Sequence, residues 1–175
     1  MARRSCSSRS KPVNIFVFDE DPWLSALWLD DVRKNKMILE TAQLLSTAIQ
    51  FNDPFTDLKV YKPAYISHPC TIWARTSRDN FNWLTEYMRC LVVQKKTGHK
   101  SAELLASFEH YGSHGRFSLE QRTPFANCAR NRERGVDFSH VADVHSAYRQ
   151  YICRRWQERT ITLSWRWGKE PEWRE

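Results

Sequence analysis

The sequence predicts a mainly α-helical fold, a compact single domain with a short N-terminal extended segment. The length of 175 residues favours one domain, and a hydrophobic content of 41% is enough to build a core. Four stretches place apolar residues at helical spacings, which indicates amphipathic helices. Only five glycines are present, so a glycine-rich nucleotide-binding loop is not expected.

The first elements are predicted from local signals. Residues 1–12 are rich in Arg and Ser and are predicted to form a disordered basic arm, so that the helical domain spans residues 13–175. Residues 13–18 (VNIFVF) are apolar and largely β-branched or aromatic, which favours a short buried strand or extended segment. Asp21 then supplies an N-cap, and Pro22 supplies the first helical residue.

The helix that starts at Pro22 is expected to reach about residue 51, with a break near Asp30. Residues 53–69 contain three prolines and are expected to be irregular, with a strand at residues 58–61. The remaining predicted elements are helices at 71–96, 100–111 and 141–156, a loop-rich segment at 113–137, and an aromatic tail at 159–175.

The aromatic tail contains Trp165, Trp167 and Trp173. Large indole rings close to a polar C-terminus are hard to bury on their own. Two interpretations stay open: the tail folds back over the first helix, or it offers a surface on which a base stacks.

The charge and the aromatic content favour contact with nucleic acid. Lys and Arg number 27 against 20 Asp and Glu, which gives a formal charge of +7, and aromatic residues make up 13% of the chain. Cations bind phosphates, and aromatic rings stack on bases. A basic protein with a Trp-rich core is the alternative interpretation.

Several other classes are not expected. No apolar run approaches the about 20 residues of a membrane helix, and no signal-peptide core follows the basic N-terminus. The five cysteines are an odd number without a CxxC pair, which indicates reduced thiols in a cytoplasmic protein. The His and Cys spacings match no zinc signature, so neither a metal site nor a cofactor is predicted.

The first helix carries a polar stripe separate from its apolar face. Arg33, Lys36, Glu40 and Gln43 follow one another at helical spacings. A carboxylate beside cations can act as a general acid or base, or can stabilise a developing oxocarbenium ion. Cations can hold phosphates, and an amide can contact a base edge or position a water. The alternative is an ordinary solvent-exposed face with a weak Lys36–Glu40 pair.

A resemblance becomes visible in this helix. The string DDVRKNKMILETAQLL at residues 30–45 resembles the first-helix motif of pyrimidine dimer DNA glycosylases of the endonuclease V type, which are small and often phage-borne proteins. The similarity continues over most of residues 13–173. It includes His68-Pro69, Trp73, Asn80, Trp83, His99-Lys100-Ser101, Tyr148, Tyr151 and a Pro-Glu-Trp tail at residues 171–173.

The resemblance implies a helical enzyme that binds double-stranded DNA without a metal or other cofactor, in the host cytoplasm if a phage encodes it. In the endonuclease V type, the N-terminal α-amine attacks C1′ and a first-helix Glu assists, so Glu40 is the matching catalytic residue. Arg33, Lys36 and Gln43 match DNA-binding or neighbouring positions. The further similarities add His68, Trp73, His99 and Lys100 as expected DNA-binding residues.

Helix capping is the alternative for His68 and for the segment at His99 and Lys100, and core packing is the alternative for Trp73.

This sequence departs from the family pattern at the nucleophile, because the arm precedes the expected first residue. Three interpretations stay open. The arm is removed after synthesis, the true first residue lies downstream of Met1, or the Schiff-base step is absent. If no α-amine is presented, Lys36 is the substitute amine, provided that burial or neighbouring cations lower its pKa. The predicted function is a DNA-repair-like glycosylase acting on damaged or modified bases in DNA, with or without AP-lyase activity. The alternatives are a non-catalytic DNA- or nucleotide-binding protein and an enzyme of modified nucleotides or free nucleosides; the oligomeric state is open.

Overall fold

The computed structural model describes residues 13–158 and 162–174, so the predicted arm at residues 1–12 lies outside the described residues. The described chain is mainly α-helical, as the sequence predicts. Its α-helices are α1 (Pro22–Leu27), α2 (Asp31–Asn52), α3 (Pro69–Thr76), α4 (Arg78–Lys95), α5 (Leu105–His114) and α6 (Val144–Gln157). Short 3₁₀ helices occupy Lys100–Leu104 and Arg132–Arg134, and two short antiparallel strands are β1 (Arg130–Asn131) and β2 (Val136–Asp137).

Side-chain caps determine where the first two helices begin. Asp21 accepts a hydrogen bond from the Trp23 backbone N–H, and Pro22 follows it. Asp30 accepts from the Arg33 backbone N–H and starts α2. Each cap satisfies a backbone donor that has no partner inside its helix. The predicted break near Asp30 is therefore confirmed.

Three predicted helices are wrong in their boundaries. The helix expected at residues 141–156 begins only at Val144, after the Asp143 cap. The helix expected at residues 71–96 is two helices, because the Ser77 side chain accepts from the Asn80 backbone N–H and starts α4. The helix expected at residues 100–111 begins as a 3₁₀ turn that His99 caps, and α5 then runs on to His114. Apolar spacing continues across Ser77, so periodicity alone does not reveal the break there.

The strand expected at residues 58–61 is also wrong. Side chains of α2, rather than a neighbouring strand, satisfy this part of the backbone. The Tyr61 N–H donates to Ser46 Oγ at 3.1 Å, and the Ala64 N–H donates to Thr47 Oγ1 at 2.9 Å. Residues 13–18 are mostly buried in the core and form no strand, and the backbone leaves the extended region at Phe16.

The core lies around α2 and α4, which pack against each other and against α3, α5 and α1. The largest fully buried side chains include Phe18, Leu45, Tyr87 and Tyr148, so the extended segment and α6 also contribute to the same core. No helix in the described parts of the chain has both the length and the apolar character needed to cross a bilayer.

The aromatic tail folds back over the start of α2. Asp31 accepts hydrogen bonds from Ser164 Oγ at 2.5 Å, from the Arg166 backbone N–H at 3.2 Å and from the Trp167 backbone N–H at 3.2 Å. Trp165 Nε1 donates to the Trp28 carbonyl at 3.0 Å. Trp165, Trp167 and Trp173 are half-buried, so the first of the two interpretations of the tail is confirmed.

A buried lysine holds the same tail from a second direction. Lys34 is fully buried, and its Nζ donates to Gln94 Oε1 and to the Trp167 carbonyl, each at 2.7 Å. Burial lowers the pKa of Lys34 to about 8, although Asp31 and Asp30 oppose the shift. A Cβ at Gly168 would meet the Leu27 carbonyl oxygen at 2.3 Å, so the chain can pass here only as glycine.

The substitution Asp31→Asn tests how the tail is held. Burial alone would raise the pKa of Asp31, but the hydrogen bonds from Ser164, Arg166 and Trp167 together hold it below its ordinary value. We expect a loss of about 2 kcal/mol in the free energy of unfolding at neutral pH. The stability difference between the wild type and Asp31→Asn should shrink as the pH falls through the lowered pKa of Asp31. The reason is that residue 31 takes up a proton at higher pH in the unfolded chain than in the folded chain. Chemical denaturation measures the difference, and an equal effect in the exposed control Asp57→Asn would contradict the assignment.

The substitution Lys34→Met tests the cost of burying this ammonium group. Between about pH 8 and the ordinary lysine pKa of 10.5, the unfolded chain holds the Lys34 proton and the folded chain has lost it. The free energy of unfolding of the wild-type protein, relative to that of Lys34→Met, should therefore rise through this window. Urea denaturation at several pH values measures the difference. A difference that does not change with pH would show that Lys34 titrates normally.

Candidate functional site

A small pocket lies between the extended N-terminal segment, α2, β1 and α6. Its volume is about 200 Å³. Helical spacing along α2 directs Arg33, Lys36 and Glu40 to this pocket, as the predicted stripe requires. The other described residues that line it are Asn14, Phe16, Val32, Met37, Asn131, Tyr151 and Arg155.

Glu40 is a buried and incompletely paired carboxyl group. Its side chain is only 8% exposed, and Oε1 accepts from Lys36 Nζ at 2.8 Å. Oε2 is buried and has no well-formed hydrogen bond to any described residue. Burial raises the pKa of Glu40, while Lys36 and the backbone N–H of Asn14 oppose the shift. The solvent-exposed interpretation of the stripe is therefore wrong for Glu40 and holds only for Lys36.

Arg33 is anchored rather than solvated. Its Nη1 donates to Asp30 Oδ2 at 2.5 Å, and its side chain is 10% exposed. Trp156 Nε1 donates to the same Asp30 oxygen at 2.9 Å, which ties α6 to the start of α2. Charge-assisted hydrogen bonds of this kind fix a guanidinium group in place. Arg33 thus forms a rigid wall of the pocket.

Arg155 brings a second incompletely paired group into the pocket. Its Nη1 is buried without a hydrogen bond to the described residues, and the Oε2 of Glu158 lies 3.6 Å from it. Sequence reasoning did not select Arg155, because nothing in its residue type distinguishes it from the adjacent Arg154. The available signal is the spacing of four from Tyr151, which places both residues on one face of α6.

Tyr87 is a further group that sequence reasoning missed. It is fully buried in α4, and its hydroxyl has no described hydrogen-bond partner. Burial and the nearby charge of Glu40 raise the pKa of Tyr87 well above its ordinary value, so the phenol stays neutral and can donate a proton.

The extended segment is fixed where it borders the pocket. Asn14 Nδ2 donates to the Cys128 carbonyl at 3.0 Å, and Asn14 Oδ1 accepts from the Ile15 N–H at 2.8 Å. Phe16 has a φ of 45°, in the left-handed region that a bulky residue rarely adopts. Its ring lies 6.1 Å from that of Tyr151. Strain held by packing beside a pocket is typical of functional sites.

The other predicted site residues do not all reach this pocket. Gln43 is half-buried one turn beyond Glu40, and it is not among the described residues that line the pocket. Trp73 lies in the core, where Nε1 donates to the Thr123 carbonyl at 3.3 Å. His99 caps a 3₁₀ helix, and Lys100 is exposed beside it. Neither borders the pocket among the described residues.

His68 borders a second pocket that adjoins the first. It caps α3 by accepting from the Cys70 backbone N–H at 3.2 Å. The second pocket, of about 320 Å³, is lined by His68, Cys128, Arg130 and Asn131, among others. Asn131 lines both pockets, so the two depressions meet there.

A depression of about 480 Å³, larger than the pocket at Glu40, is lined by residues that include Asn52, Tyr111 and Arg116. None of its described lining residues carries a buried polar side-chain atom without a hydrogen bond. The pocket around Glu40 contains two such atoms, Glu40 Oε2 and Arg155 Nη1. Its charged side chains can act as a general acid or base or bind a phosphate. The smaller pocket is therefore the stronger site.

No protein-family model matches this chain, and neither a curated protein nor a solved structure is detectably similar to it. The resemblance to the endonuclease V type therefore rests on the sequence motif alone, and the activity that it implies remains a prediction.

The substitution Lys36→Met tests the electrostatics of the pocket. Lys36 opposes the raised pKa of Glu40, so its removal should raise that pKa further. Carboxyl-carbon NMR of labelled glutamate measures the titration. Lys59→Met is the matched control: Lys59 pairs with the exposed Glu103 and lowers its pKa, so this variant should move the Glu103 titration and leave that of Glu40 unchanged. A Glu40 titration that ignores Lys36 would contradict the pairing.

Proposed function

We propose that the protein is a DNA glycosylase that acts on a damaged or modified base in double-stranded DNA. The observation that supports this most is the buried carboxyl group of Glu40 in a pocket bordered by cations. Its Oε2 has no well-formed hydrogen bond to the described residues, and besides Lys36 only the backbone N–H of Asn14 lowers its pKa. An unsatisfied buried carboxylate oxygen is costly unless a ligand or a reaction uses it. The basic composition and the motif resemblance favour DNA as that ligand.

In the hydrolytic form of the reaction, Glu40 acts as a general base. Its carboxylate takes a proton from a water molecule, the water oxygen bonds to C1′ of the nucleotide, and the C1′–N bond breaks with its electron pair leaving on the base. The transition state is oxocarbenium-like, so a nearby carboxylate also stabilises its positive charge. The base must leave the helical stack to bring C1′ to the pocket.

Cations on both sides of Glu40 can hold the DNA backbone. Lys36 is half-exposed, and its ammonium group pairs with Glu40. Arg155 offers a guanidinium nitrogen that lies near Glu158 but has no hydrogen bond to the described residues. These are the groups that bind phosphate oxygens. A kink or an extruded nucleotide would place the two phosphates that flank the sugar near these side chains.

A lyase form of the reaction needs an amine at C1′. Lys36 is the amine that borders the pocket among the described residues, and its Nζ contacts Glu40. The backbone nitrogen of Asn14 also lies close enough to Glu40 to affect its pKa. Removal of residues 1–13 would turn that nitrogen into an α-amine beside the carboxyl group. The mass of the mature protein distinguishes these two routes.

The test is cleavage of the C1′–N bond in duplex oligonucleotides that contain a thymine dimer or a modified pyrimidine. A duplex with an abasic site, which has no such bond, tests strand cleavage by the lyase form alone. We expect Glu40→Gln to lower the rate by about 100-fold or more, the usual contribution of a general base. Because the base must be deprotonated, the rate should rise with pH through the raised pKa of Glu40, and Lys36→Met should move that rise to higher pH. Glu103→Gln, an exposed carboxyl change, is the control.

Borohydride reduction during the reaction separates the two chemistries. A covalent protein–DNA adduct that maps to Lys36 or to an N-terminal Asn14 supports the lyase form, whereas base release without an adduct supports hydrolysis. Salt-sensitive DNA binding with no product on any of these substrates would favour the non-catalytic binding protein instead.

A further inference from the structure

A cluster of metal-binding side chains lies outside the Glu40 pocket. One ring nitrogen of His68 and the sulfur atoms of Cys70 and Cys128 lie within 4.8 Å of one another. His68 and Cys70 stand at the start of α3, and Cys128 comes from the segment before β1. Both cysteines are buried and carry free thiols.

The composition of the cluster suits zinc. Two thiolates and one imidazole form a donor set used by zinc sites that keep a fourth position open, and soft sulfur ligands select zinc or copper(I) over magnesium and calcium. Tetrahedral zinc, with bonds of about 2.3 Å to sulfur and about 2.0 Å to nitrogen, separates its ligand atoms by about 3.6–3.8 Å. Because the three ligand atoms lie within 4.8 Å of one another, each pair needs to close by at most about 1 Å to reach that separation.

The surroundings leave room for a fourth ligand. The pocket of about 320 Å³ is bordered by His68 and Cys128, which provides an entry path for an ion. Two thiolates cancel the charge of Zn²⁺, so the nearby Arg130 does not oppose the filled site. The one ring-nitrogen lone pair of neutral His68 now accepts from the Cys70 backbone N–H, so zinc bound to His68 would replace this cap. We propose that His68, Cys70 and Cys128 form a zinc site whose fourth position opens to this pocket.

The proposed site would act on the geometry of the Glu40 pocket without sharing its chemistry. Zinc would join α3 to the segment before β1. The Cys128 carbonyl accepts from Asn14 Nδ2, and the Cys128 N–H donates to Tyr148 Oη at 3.1 Å. Fixing Cys128 therefore fixes Asn14 beside Glu40. This inference stands or falls independently of the glycosylase proposal.

Cobalt titration of the reduced full-length protein tests the site. With a phosphine reductant that does not chelate, Co²⁺ should bind with one equivalent and give the thiolate charge-transfer and tetrahedral ligand-field absorption bands. Added Zn²⁺ should displace it. Cys128→Ser and His68→Ala should each weaken binding at least about tenfold, whereas Cys153→Ser, which changes a cysteine outside the cluster, should bind normally.

A second measurement guards against variants that fail to fold. The wild-type protein should lose thermal stability in a chelator and regain it with one equivalent of Zn²⁺. The proposal is overturned by an absence of cobalt bands at one equivalent, by bands that persist in Cys128→Ser, or by thiol counting and peptide mapping that find a Cys70–Cys128 disulfide in the protein as purified.

Discussion

The structure depends on the way in which α2 buries its charged side chains. This helix packs in the core, so several of its charged side chains are buried away from water. Buried charges need hydrogen-bond or ion-pair partners. Asp31 holds the aromatic tail, Lys34 holds Gln94 and the same tail, and Arg33 pairs with Asp30. Glu40 differs from these residues, because one of its carboxylate oxygens has no well-formed hydrogen bond in the described structure. The same constraint that stabilises the start of α2 thus distinguishes Glu40, further along the helix, as the candidate functional residue.

The elements around Glu40 are held by contacts distant from it in sequence. Asn14 is fixed by the Cys128 carbonyl, Phe16 keeps an unfavourable backbone conformation against Tyr151, and Arg155 comes from the last helix. A pocket built from four separate segments can bring a carboxyl group and cations close together before any ligand arrives. Such preorganisation is what makes electrostatic stabilisation of a transition state effective.

Features that depend on local chemistry could be predicted from the sequence. The cap at Asp21, the break near Asp30, the helical class and the polar stripe of α2 follow from residue types at short spacings. Other features depend on tertiary contacts. The break at Ser77 lies within a stretch whose apolar spacing continues without interruption. Nothing in the sequence distinguishes Arg155 from an exposed arginine, because only the packing of α6 places it in the pocket. The cluster of His68, Cys70 and Cys128 could not be predicted, because Cys128 comes close to Cys70 only in the folded chain.

The most direct measurement is a crystal structure of Glu40→Gln bound to a DNA duplex that contains a stable abasic-site analogue. The substitution should stop turnover and keep the pocket intact, because glutamine has nearly the same shape. We expect the sugar of the analogue to lie outside the helical stack with C1′ beside residue 40, and the flanking phosphates to contact Lys36 and Arg155. A duplex bound with its sugar–phosphate backbone on another face, such as the depression between Asn52 and Arg116, would contradict the assignment of the site.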